Sequence, residues 1–148
     1  MKFKNNPANI RYNPRNYWKG QIEPLRGFCQ FSELKFGLRA LMVLLKNYIK
    51  KKKCHSVQTI ISRFAPVSEN NTCGYIRFLC NLLHGHDCDS NNITPFSESF
   101  YWLCIGICYY ETNTSIDIKD LMKVAKEFGL WSDCLSTINK QLMLDFKD

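Results

Sequence analysis

The chain has 148 residues, of which 45% are hydrophobic and 22% charged, a length and balance that fit a single domain over residues 1–148 and exclude a largely disordered protein. Twenty Lys plus Arg against 13 Asp plus Glu give a formal net charge of +7, which points to polyanionic partners: nucleic acid, anionic membrane surfaces, or the polymers and peptide carboxylates of a cell wall. No window reaches the roughly 18 uninterrupted apolar residues of a transmembrane helix, so no membrane span is expected.

The first stretch, KFKNNPANIRYN at 2–13, stands where an apolar leader would otherwise lie. MKFKNN lacks the apolar core of a secretory signal, so synthesis and retention in the cytoplasm are expected, with the eight cysteines as free thiols. Asn6 and Asn9 suit a turn held by side-chain hydrogen bonds, and Arg11 offers a planar donor fork suited to a carboxylate. IRY and RGFCQF are β-compatible pieces between proline-punctuated loops and predict a small hairpin or irregular sheet.

Ser32 precedes ELKFGLRALMVLLKNYIKKK, in which Phe36, Leu38, Ala40, Leu41, Val43, Leu44, Leu45 and Tyr48 recur densely enough for a largely buried helix. KNYIKKKK at 46–53 ends it, either as a solvated terminus that complements the helix dipole or as a phosphate-binding patch. Ser56 caps VQTIISRF, which the Ala65-Pro66 pair stops, because the residue before proline is driven from helical angles. A loop follows in which Glu69, with Asn70 and Thr72, either caps the next helix or serves a site. That next helix, CGYIRFLCNLLH, turns Tyr75, Ile76, Leu79, Leu82 and Leu83 inward, with Gly85 as its stop.

CNLLHGHDCD at 80–89 crowds Cys80, His84, His86 and Cys88 together. Thiolate and imidazole suit a tetrahedral transition metal, but structural zinc sites pair two knuckles across a longer loop. A helix terminus is the better account, and no metal or cofactor is expected. Ser97 then caps ESFYWLCIGICYYE, apolar nearly all round and so a core helix, with Cys104 and Cys108 as small buried hydrophobes. Glu111 ends it. A carboxylate there either faces water, the commoner case, or lies desolvated against a nonpolar wall, which raises its pKa toward neutrality and makes it a general acid. Ser115 or Asp117 starts IKDLMKVAKEF, Gly129 stops it, and WSDCLSTINKQLMLDF gives a last helix. The sum is an α+β chain, mainly α-helical, with about six helices and a small N-terminal β region.

No phosphate-cradling glycine loop, GxSxG elbow or HExxH is present, and no helix-turn-helix or aromatic RNA platform accompanies the lysines, so nucleic acid is a weak candidate.

The stretches NNPANIRYN at 5–13, WKG at 18–20, GFCQF at 27–31, FGLRALMVLLKNY at 36–48, TIISRFAP at 59–66 and SENNTCGYI at 68–76 resemble, in this order, a family of small phage and prophage virion proteins. It is the structural protein P5 family, widespread in bacterial genomes including those of gut Bacteroidetes. Members read NPGNIR, W-x-G, F-x-x-F, G-I-R-A and W-A-P-P-x-E-N-x-T-x-x-Y, and the match covers about half of the chain strongly. Ala8 replaces the family's glycine, Phe64 its tryptophan and Val67 its second proline, whereas Asn9, Arg11, Glu69 and Asn70 are kept. Alanine at position 8 implies that this residue does not need a positive φ.

In pattern the chain is also similar to cell-wall glucosaminidases and other lysozyme-like enzymes, where a buried helix ending in a catalytic glutamate precedes an N-x-F-G-I-K-like β segment and an F-x-x-F stretch. Here NPANIR, FCQF and the helices keep that order while the glutamate-ended helix comes last, as in a circularly permuted lysozyme-like fold. This likeness implies that Glu111 protonates the glycosidic oxygen of peptidoglycan, with Glu69, then Asp117, or the substrate's acetamido group as the second player. Asn9, Arg11, Tyr12, Trp18, Asn70 and Tyr75 would then bind substrate, the aromatics Tyr12, Trp18 and Tyr75 by stacking on sugar faces. The partner would be peptidoglycan or another anionic wall polymer, reached by lysis or by carriage in a virion. The alternative is a non-catalytic virion structural or assembly protein partnered by other virion proteins. In that case Glu69 caps a helix, Glu111 pairs with a lysine or arginine, and Arg11 ties the front segment to the core.

Overall fold

The computed structural model describes residues 2–66 and 71–132. The chain enters through an irregular front segment and forms a hairpin, β1 (Gln21–Leu25) and β2 (Phe28–Phe31). Five helices follow: α1 (Leu34–Lys52), α2 (Val57–Phe64), α3 (Thr72–Gly85), α4 (Glu98–Thr112) and α5 (Ile118–Glu127). The α+β, mainly helical class is as expected. The further helix expected from WSDCLSTINKQLMLDF lies outside the described residues from position 133 onward.

The hairpin pairs Gln21 with Phe31, Ile22 with Gln30 and Leu25 with Phe28, with a bulge between Ile22 and Leu25 where Pro24 has no N–H to give the ladder. Arg26 and Gly27, at φ 52 and 83, make the two-residue turn whose hand matches strand twist. IRY does not form the expected strand. It meets β2 at a single bridge, Arg11 to Phe28. The reason is Asn6, buried at 1% exposure: its Nδ2 donates to Ile10 O at 3.0 Å and Cys29 O at 2.8 Å, and its Oδ1 accepts from Ile10 N at 2.9 Å. This side chain works beside the two backbone bonds of the bridge, Tyr12 N to Gly27 O at 2.8 Å and Cys29 N to Ile10 O at 3.0 Å.

The helix starts show which local signals survive packing. Ser56 and Thr59 form a complete capping box on α2, Ser97 accepts from Phe100 N on α4, and Asp117 accepts from Lys119 N on α5. Ser32 does not cap α1. Its N–H is bonded to Gly20 O, which keeps it with the hairpin, and Glu33 takes the cap position without a side-chain bond. On α3 the cap is Asn71, accepting from Gly74 N. Lys50, Lys51 and Lys52 form the last turn of α1 and Lys53 the left-handed cap, so the lysine run is a helix terminus. The left-handed residue after α3 is Asp87 and not Gly85.

The core is centred on α4, which packs against α3 and α5, while α1 contacts β2, α2 and α5. Phe100, Leu103, Cys104, Ile107 and Cys108 are fully buried, which explains why α4 is apolar nearly all round. The seven described cysteines are free thiols. Burial pushes Cys29 up to about 11 and, reinforced by Glu111, Cys108 up to about 12, so both pack as neutral small hydrophobes. Among the described residues no helix is long and apolar enough to cross a membrane.

The front segment seats on α1 at Gly37, where an added Cβ would overlap the Asn5 carbonyl oxygen. Gly37→Ala is therefore expected to destabilise by about 1–3 kcal/mol despite the better helix propensity of alanine, read as a lower urea midpoint. An unchanged or raised midpoint would mean that the front segment does not rest there.

Candidate functional site

The last turn of α4 meets the front turn. Thr112 Oγ1 donates to Pro7 O at 2.8 Å, and Asn9 Nδ2 donates to Glu111 Oε1 at 3.2 Å and, at 3.4 Å, to Glu111 O. Asn9 was expected to hold its own turn. Asn6 does that, and Asn9 reaches 102 residues along the chain instead. Ala8 is not among the positive-φ residues. The left-handed positions are Asn5 and Asn9, at φ 55 and 53, a conformation that asparagine accepts more readily than most residues.

Beside this junction opens a cleft of about 640 Å³. Five of the anticipated residues line it: Asn9, Arg11, Tyr12, Trp18 and Glu111. Glu111 is half-buried on its wall, Trp18 half-buried and Tyr12 exposed. Arg11 lies over the Phe28 ring at 5.3 Å. The pairing of Glu111 with a lysine or arginine, expected for a non-catalytic protein, is not found among the described residues. The hydrogen bond its carboxylate accepts comes from a neutral amide, and the described ion pair joins Lys35 to Glu127 at 3.1 Å.

Tyr75 departs from its expected role. It is 1% exposed with its ring stacked on Tyr110 at 3.9 Å, it does not line the cleft, and it has no free face for a sugar. Burial first, then the adjacent Glu111 charge, pushes its phenol far above the ordinary range. Hydrogen bonding between the Tyr75 hydroxyl and Glu111 adds to that shift, while Asn9 Oδ1 is buried without a hydrogen-bond partner among the described residues. Asp117 is committed to capping α5 and does not line the cleft. Glu69 and Asn70 lie outside the described residues.

Tyr48 and Arg63 also line the cleft and were not anticipated. Periodicity assigns Tyr48 to the buried face of α1, and Arg63 sits in the last turn of α2, where a cation needs no special reason. At the other candidate cluster His84 Nε2 bonds Ser90 Oγ at 3.0 Å, His86 stacks on Trp102 at 3.5 Å, and Cys88 Sγ contacts His86 O. Among the described residues no three His, Cys, Asp or Glu side chains converge as a metal shell.

No protein-family model matches the chain. Over 83 residues it is 35% identical to Protein P5 of Pseudoalteromonas phage PM2, a stretch covering 52% of the chain and 51% of that relative. The chain therefore spans about half the length of the curated relative it matches.

Proposed function

We propose that this chain is a phage- or mobile-element-derived virion protein with a structural or assembly role, and that it meets the bacterial wall through the cleft at the end of α4. The likeness to a phage protein supports the first part. Other virion proteins are the partners for that role.

The geometry favours a further activity on the same surface, cleavage of peptidoglycan glycan strands in the manner of a lysozyme-like muramidase, glucosaminidase or lytic transglycosylase. The observation that carries it is Glu111: a carboxylate at the end of a buried helix, held by an amide and open to a cleft. Glu111 delivers a proton to the glycosidic oxygen, and Glu69 or the substrate's acetamido oxygen stabilises the oxocarbenium-like transition state. Trp18 and Tyr12 carry the sugar faces, and Arg11 and Asn9 fix the strand. The meeting of the front turn and the end of α4 at Asn9 and Glu111 supports the circularly permuted lysozyme-like arrangement, because space supplies the adjacency that chain order withholds.

Zymography on peptidoglycan gels is the test: the purified protein is expected to clear the gel, and absence of clearing in every buffer removes the hydrolytic activity. Presence of the protein in purified particles of the parent element tests the structural role independently.

A further inference from the structure

We propose that Arg63, packed on Tyr48, forms a carboxylate-binding subsite of the cleft, and that the group it selects is an acid borne on a sugar, as in the lactyl ether of muramic acid. This rests on reading the cleft as a glycan site.

Among the described residues, the charged side chains lining the cleft are Arg11, Arg63 and Glu111. Arg63 has no acidic partner among the described residues, and its packing partner is the Tyr48 ring, 5.8 Å from the guanidinium carbon. A guanidinium above an aromatic ring keeps its N–H donors, whose fork geometry matches two carboxylate oxygens. Arg63 lies in the last turn of α2, whose carbonyl end supplies only a partial negative charge. Tyr48 is half-buried and so holds the arginine from a fixed wall. Trp18 and Tyr12 offer faces for a sugar, and the Asn13 and Asn16 amides offer partners for its hydroxyl and acetamido groups. A neutral amino sugar would use these groups and leave Arg63 idle, whereas a sugar with its own carboxylate uses all of them.

The test is an NMR titration of the full chain with N-acetylmuramic acid, N-acetylglucosamine and a D-alanyl-D-alanine peptide, repeated on Arg63→Gln and Arg63→Lys. Arg63 is exposed, so both variants should fold, which circular dichroism checks. N-acetylmuramic acid is expected to bind about tenfold more tightly than N-acetylglucosamine, to shift Tyr48, and to lose that advantage in Arg63→Gln with partial recovery in Arg63→Lys. Binding of the peptide at Arg63 in place of muramic acid keeps the carboxylate subsite and overturns its assignment to the sugar. Equal binding of both sugars, indifferent to Arg63, overturns the subsite while leaving the glycan cleft intact. Binding of none of the three overturns both.

Discussion

Glu111→Gln is expected to reduce peptidoglycan clearing by at least about 100-fold, the usual lower range for loss of a positioned general acid. Fold should survive the change. Gln keeps an oxygen at the position where Glu111 Oε1 accepts from Asn9 Nδ2, and its new amide can donate toward Asn9 Oδ1, which is unsatisfied among the described residues. The thermal midpoint should therefore hold or rise slightly while activity vanishes. That combination separates a proton donor from a structural carboxylate, whose loss would lower stability and leave catalysis untouched. Clearing by Glu111→Gln within a few-fold of wild type would end the hydrolase assignment.

The same substitution bears on the structural role. If the protein serves the particle without cutting wall, Glu111→Gln leaves incorporation into virions and wall binding as they were, and only a test of cleavage is silent. Binding of intact sacculi, measured by co-sedimentation at rising salt, is expected to weaken as the Debye length shortens in either case, because a net charge of +7 favours anionic polymers.

What the sequence discloses here follows the range of the forces involved. The caps at Ser56, Ser97 and Asp117 are legible because cap and helix lie within a few residues of each other. Ser32 carries the same signal and fails, because Gly20 O competes for its backbone. IRY has β propensity yet pairs with β2 only at the Arg11–Phe28 bridge, and Asn6 takes the Ile10 N–H that would carry the pairing further. Tyr48 and Tyr75 exchange roles: spacing places both on buried faces, yet the cleft opens over the half-buried Tyr48 while Tyr75 is sealed beneath Tyr110. Glu111 could be singled out as a carboxylate ending an apolar helix. Its partner Asn9 could not be paired with it by any local rule, since 102 residues intervene.

Asn6→Ala is expected to be the most destabilising single substitution in the front segment, costing about 3 kcal/mol as read from denaturant midpoints. The change deletes the bonds to Ile10 N, Ile10 O and Cys29 O and leaves the Ile10 N–H buried with no side-chain acceptor. Asn6→Asp discriminates the mechanism. Were Asn6 merely a turn former, aspartate would replace it at little cost. In the observed network aspartate still accepts from Ile10 N but points its second oxygen at two carbonyls, so at neutral pH it should be at least as damaging as alanine. Burial and those carbonyls raise the folded-state pKa of the introduced carboxyl above its unfolded value of about 3.9. The folded state then binds the proton more tightly, so the deficit of Asn6→Asp relative to wild type should shrink as pH falls toward 4 and grow as pH rises through the raised pKa. Because the Asn6 network carries the turn that delivers Asn9 to Glu111, either variant should also loosen the Asn9–Glu111 hydrogen bond before it unfolds globally. Asn6→Asp equal in stability to wild type at pH 7 would show that the front segment is held by something other than this amide.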